Sequence, residues 1–119
     1  MTSVNKILLT GSTGMVGRCI LFNQKSNRYK FLTPNRKELN LLNYNKVFQY
    51  IKKNKPDLII HAAGIVGGIH KNLREPKKFL IENIEMGKNV IISSQLNKIK
   101  KLINLSSSCV YSPKSKGPL

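Results

Sequence analysis

The stretch Lys6–Gly17, KILLTGSTGMVG, decides how this chain folds. Lys6–Thr10 is a short apolar run and reads as a strand. Gly11, Gly14 and Gly17 follow, and from Met15 to about Gln24 the pattern is helical, with Val16, Ile20 and Leu21 predicted to face inward. A strand passing through such a trio into a helix is a phosphate-binding turn. Gly11 permits the tight bend, Gly14 lets a pyrophosphate approach the backbone, and Gly17 lets the helix pack closely. With Ser12, Thr13, Met15 and Val16 they make a turn whose free amides and positive helix end can hold an anion. A purely structural turn is the bland alternative, and the strand before and helix after weigh against it.

Outward from this turn, apolar runs alternate with amphipathic segments. Tyr29–Leu32 reads as a second strand. Asn43 is positioned to cap a helix carrying Val47, Phe48 and Ile51 that stops before Pro56. Asp57–Ala63, DLIIHAA, is a continuous apolar run suited to a strand buried on both faces. A glycine-rich loop, GIVGGIHKN, leads to a long helix from Pro76 to about Leu96. That helix has two apolar stripes, one with Leu80, Ile84, Gly87 and Ile91 and one with Phe79, Met86 and Val90, so it faces two partners. Lys101–Ser106 is the last strand. The succession predicts an α/β, Rossmann-type parallel sheet with helices on both faces and right-handed crossovers. The expected strand order is 3-2-1-4, which leaves the last strand as a bare edge.

Composition narrows the class. A chain of 119 residues, 40% hydrophobic, suits one domain. No apolar run approaches the length needed to span a bilayer. The N-terminal segment lacks a small-residue cleavage pattern, so no signal peptide is expected. Cys19 and Cys109 have no metal-ligand spacing and fit free thiols in a reducing compartment, which makes the cytoplasm the expected location. Cys19 reads as a small buried filler on the first helix. The net charge of +16 raises nucleic-acid binding as a possibility. The cations are scattered along the sequence, however, and no aromatics interleave with them as a stacking platform requires.

The second strand ends in FLTPNRKEL, with no acid at its tip to hold a ribose 2′-hydroxyl. Arg36 and Lys37 lie just beyond, and a guanidinium suits a 2′-phosphate, so NADP is favoured over NAD. The last strand ends in SSSCVY. In a parallel sheet ligands bind beyond the carboxyl ends of strands, here expected near the switch between strands one and four. Ser107, Ser108 and Cys109 are then expected beside the nicotinamide. A hydroxyl there can hydrogen-bond a substrate carbonyl, and a thiol of lowered pKa can exchange a proton on carbon. Ser106 reads as a strand-end cap, His61 as a satisfied near-core group, and His70 as a weak substrate-contact candidate in the loop.

The pieces TGSTGMVG, NRKELNLLN, PDLIIHAAGIVGGI and LSSSCVY together resemble the extended short-chain dehydrogenase/reductases. The GMVG, VGGI and SSCVY pieces narrow the resemblance to their GDP-L-fucose synthase branch, NADP-dependent enzymes that epimerise and then reduce GDP-4-keto-6-deoxy-mannose. The resemblance runs in register to Leu119. It implies that Gly11 to Gly17 hold the pyrophosphate, Arg36 meets the 2′-phosphate, Asn40 and Leu41 flank the adenine, and Ala63 lines the cofactor. It implies further that Ser107 is the catalytic serine, Ser108 a substrate contact and Cys109 the epimerisation acid/base. The helix 76–96 resembles one that packs across a homodimer.

Three small departures stand at Ile65, Ser106 and Ser112, where the branch commonly has a lysine or similar residue, glycine and proline. The larger one is length. The branch's Tyr-x-x-x-Lys pair is expected after Leu119, and Tyr111 cannot replace it because Ser115 stands four residues on. Residues 1–119 are accordingly expected to be the N-terminal part of a dinucleotide-binding domain. Its remaining strands and substrate domain would lie elsewhere, in a companion chain or a longer product, and 119 residues alone are expected to be inactive. Other readings are a different sugar-nucleotide epimerase or dehydratase of the superfamily, and a non-catalytic dinucleotide-binding module.

Overall fold

The computed structural model describes residues 4–106. Four parallel strands form one sheet: β1 (Lys6–Thr10), β2 (Lys30–Leu32), β3 (Leu58–His61) and β4 (Lys101–Asn104). Helix α1 (Met15–Phe22) and a 3₁₀ turn (Gln24–Arg28) join β1 to β2, and α2 (Tyr44–Asn54) joins β2 to β3. A short α3 (Ile69–Arg74) and a long α4 (Pro76–Leu96) join β3 to β4. The Asn43 cap forms as expected, its Oδ1 accepting from the Lys46 amide at 3.0 Å. Pro76 opens α4, where its missing N–H costs nothing. The short helix α3 begins within the segment read as a glycine-rich loop and runs past it to Arg74.

The α/β class holds, but the strand order is 2-1-3-4 and not 3-2-1-4. The physical reason lies in β3. Its Ile59 is wholly buried and stacks beside Leu8 and Leu102, with which β3 is in register. Between β1 and β4 its backbone groups are paired along both sides, which an edge place outside β2 would deny it, while its Leu58–Ile60 face is half-buried and not fully buried as expected. The chain therefore returns across β1, and the switch point falls between β1 and β3, not between the first and fourth strands. Among the described residues β4 is an edge, as expected.

One face of the sheet, through Leu8, Ile59 and the half-buried Leu32 and Leu102, packs on Val47 and Ile51 of α2 and Met86 and Val90 of α4. Burial of each such side chain contributes about 1.5–3 kcal/mol. The other face buries Ile7 and Leu9 on the α1 side but leaves Ile103 nearly half exposed. Two expectations for α1 are corrected. Val16 and Cys19 are exposed, because α1 is short and Gly17 is its buried contact with the turn. In α4 the stripe of Phe79, Met86 and Val90 is buried, and that of Leu80, Ile84 and Ile91 is exposed. No helix among the described residues is long and apolar enough to cross a membrane.

Asp57 ties the strands' starting edge together. Its Oδ2 accepts from the amides of Lys6 (2.8 Å) and Asn5 (3.0 Å). These backbone hydrogen bonds, first that from Lys6 and then that from Asn5, hold its pKa below the ordinary 3.8.

Candidate dinucleotide-binding site

The site is a cleft of ≈ 270 Å³ at the carboxyl ends of β1 and β3. The turn after β1 forms its floor. Gly14 N donates to Gly11 O at 3.0 Å, closing a turn in which Gly11 takes φ +74°, the left-handed region where glycine is at ease. A Cβ on Gly11 would come within 2.6 Å of the Ala62 carbonyl and the Ala63 nitrogen. A Cβ on Gly17 would run into the Gly11 oxygen and Ser12 Cα. Backbone approaches backbone at both points, which is why the turn can lie flat between two strands.

Gly11, Ser12, Thr13, Gly14, Arg36, Asn40, Leu41 and Ala63, all expected from sequence, line this one cleft. Met15, Val16 and Gly17 do not line it: Met15 is 81% exposed, and Gly17 supports the turn from behind. Sequence reasoning missed Pro34, Asn35, Leu39 and Met86 in the lining. It also missed two asparagines that hold the cleft's walls from α4. Asn83 Oδ1 accepts from Ile65 N at 2.7 Å, and its Nδ2 donates to Ile65 O at 3.0 Å. Asn89, fully buried, donates from Nδ2 to Leu41 O at 2.9 Å. The available signal was two amides spaced six apart on a helix that also carries the Met86–Val90 core stripe.

The residues present fit a phosphate-bearing nucleotide. No side chain caps the start of α1 and no acid lies in its first turn. An added Cβ at Gly14 would meet only Gly11 O, at 3.3 Å, so its cleft side is open to a ligand. Backbone amides there, at the positive helix end, are suited to an anion. Arg36, exposed on the same cleft, adds a planar cation. The cleft's size suits the adenosine and phosphate end of a dinucleotide.

His61 ends β3 in a buried position, its Nδ1 sharing a 2.7 Å hydrogen bond with Thr10 Oγ1, as a satisfied near-core group. Burial pushes its pKa below the ordinary 6.5. Unfolded His61 therefore takes up a proton as pH falls below about 6.5 while folded His61 does not, so this group's stabilisation is complete above that pH and declines beneath it. Asp57 acts the same way in a lower window: its stabilisation is present above 3.8 and is lost as pH falls through its depressed value. Urea unfolding from pH 7.5 downward is expected to give stability that falls on acidification. His61→Gln should flatten the upper part of the slope and Asp57→Asn the lower part. An unchanged slope in both variants contradicts the assignment.

His70 lies exposed on α3 and does not line the cleft. β4 continues to pair past its last residue, Leu105 N donating to His61 O at 3.1 Å, so Ser106 lies exposed at the cleft's edge of the sheet. Ser107, Ser108 and Cys109 lie outside the described residues.

Comparison with known proteins agrees with this geometry. The model of the NAD dependent epimerase/dehydratase family matches residues 7–118. A GDP-L-colitose synthase from Yersinia pseudotuberculosis is 56% identical over 106 residues, covering 89% of this chain and 34% of that protein. A GDP-L-fucose synthase from Azorhizobium caulinodans is 44% identical over 114 residues, covering 96% of this chain and 36% of that protein. A GDP-D-glycero-L-gluco-heptose synthase from Campylobacter jejuni, solved in the presence of NADPH, superposes with TM-score 0.88 at 32% identity. That superposition takes in 100% of this chain and 35% of the other. The chain thus spans about a third of the length of each protein it matches. With its glycine turn at the switch between β1 and β3 and a family match along nearly its whole length, the chain belongs to the NAD dependent epimerase/dehydratase family.

Proposed function

We propose that this chain is the NADP-binding part of a GDP-sugar epimerase/reductase of the GDP-L-fucose synthase type, acting on GDP-4-keto-6-deoxy-mannose or a close relative. The observation that carries the reading is the single cleft shared by the Gly11–Gly14 turn, Ala63, Asn40 and Arg36. Bound there, NADPH supplies the hydride for reduction of the keto group. The chain's own residues position it: the turn amides take the pyrophosphate, Arg36 the 2′-phosphate, and Asn40 and Leu41 the adenine. Ser107 then hydrogen-bonds the substrate oxygen, Ser108 contacts the sugar, and Cys109 moves the proton on carbon in epimerisation. The 56% identity to a GDP-L-colitose synthase supports a second reading, in which the sugar is that of GDP-L-colitose synthesis. The exposed stripe of Leu80, Ile84 and Ile91 supports a homodimer through α4. Residues beyond this chain's span supply the Tyr-x-x-x-Lys pair and the sugar-binding part.

The cofactor part of the reading is tested by titrating NADPH and NADH into the protein. A charge-assisted hydrogen bond contributes about 1.5–3 kcal/mol, so Arg36→Ala should weaken NADPH roughly 10- to 150-fold. NADH, which lacks the 2′-phosphate, should be affected little. Equal weakening of both, or no binding of either, defeats the assignment.

A further inference from the structure

The strand starts and helix ends gather lysines that the sequence scatters. In a parallel sheet with helical crossovers every helix ends, and every strand begins, on the same edge. Lys52 and Lys55 at the end of α2 and Lys98, Lys100 and Lys101 at the turn into β4 therefore surround one cleft of ≈ 320 Å³. All five are exposed. The cleft lies on the sheet edge opposite the Gly11 turn, and its lining includes the half-buried apolar Val4 and Ile99 above the buried Ile51 and Pro56.

The bland explanation is that lysines offset the negative ends of helices. Lys6 already does this for α2, its Nζ donating to Asn54 O at 2.9 Å. The acid in the cleft, Asp57, has Oδ2 committed to two backbone amides. Among the described residues the ion pairs are Lys78–Glu75 and Lys88–Glu85, so none of the five cleft lysines is in one. Like charges around one cleft repel one another and disfavour the compact chain unless an anion joins them.

We propose that this cleft is a docking surface for an acidic segment of a partner protein, one that carries an apolar side chain between its carboxylates. Charge complementarity supplies the rim contacts, and the half-buried Val4 and Ile99 receive the apolar group. No aromatic lines the cleft among the described residues, which disfavours nucleic acid because bases would have no stacking platform. The surface is concave, which suits a side chain better than a bilayer. The proposal is independent of the dinucleotide reading.

The test uses fluorescence anisotropy on the full chain, with a short fluorescein-labelled Glu-rich peptide bearing one central Leu. The peptide should bind at low salt and weaken as salt rises. The variant Lys52→Gln/Lys55→Asn/Lys98→Asn/Lys101→Gln should weaken it about tenfold or more. Asparagine is chosen where Lys55 and Lys98 have positive φ (45° and 58°), because it tolerates that conformation. Lys52→Gln/Lys101→Gln, which leaves those two backbones alone, should show a smaller loss in the same direction with an unchanged melting temperature. Replacing the central Leu by Gly should also weaken the peptide. The proposal is overturned by no binding, by equal binding to a folded variant, or by tighter binding of oligo(dT) or phosphatidylserine vesicles at matched charge.

Discussion

Gly11→Ala is expected to cost this protein about 2–5 kcal/mol of stability and with it the dinucleotide site. Two penalties add. An alanine held in the left-handed region costs about 1–2 kcal/mol, and Gly11 stands at φ +74°. Its Cβ would also press within 2.6 Å of the Ala62 carbonyl and Ala63 nitrogen, just past the end of β3, where Ala62 N donates to Thr10 O at 3.2 Å. Overpacking of that kind costs about 1–3 kcal/mol. Against a typical total of about 5–15 kcal/mol, the sum lowers the thermal midpoint by roughly 10 °C or more. Gly87→Ala is the contrasting case. An added Cβ there meets nothing within 4 Å, and the position is inside α4. It should stabilise by about 0.5–1 kcal/mol through helix propensity. Thermal unfolding of the two variants tests both statements, and similar midpoints would refute the strain argument.

Substitution at Ser107 or Cys109 is expected to have the largest effect on rate. In an enzyme of the relatives' full length, Cys109→Ser should lower deuterium wash-in from D₂O into the sugar by about 10²–10⁴-fold, the range for a positioned acid/base. Reduction of an already epimerised keto sugar should persist. Ser107→Ala should lower the reduction step itself by about 10²–10³-fold, through loss of a hydrogen bond aimed at the developing charge. NADPH affinity should be unchanged in both variants, since Arg36 and the Gly11 turn are untouched. If Cys109→Ser exchanges deuterium at the normal rate, the thiol has no acid/base role. If both variants lose NADPH instead, the strand end holds cofactor and not substrate.

Much of the site was legible before any coordinates. Local pattern points to Gly11, Gly14 and Arg36, the family resemblance adds Asn40, Leu41 and Ala63, and one cleft collects all six. Their order along the chain tracks the strand ends, so position in sequence stands in for position in space. Asn83 and Asn89 escaped notice because a polar residue on a helix reads as solvated. Only the packed structure shows that their amides reach Ile65 and Leu41 in the cleft lining.

The sequence by itself determined the element types, the alternation that makes the sheet parallel, and the glycine turn, because each rests on the chemistry of neighbouring residues. Tertiary structure alone decided that β3 lies beside β1, that Val16 and Cys19 face water, and that dispersed lysines meet at one edge. Those outcomes compare the burial of segments tens of residues apart. Nothing in the short-range pattern of either segment records which of several partners will exclude more water.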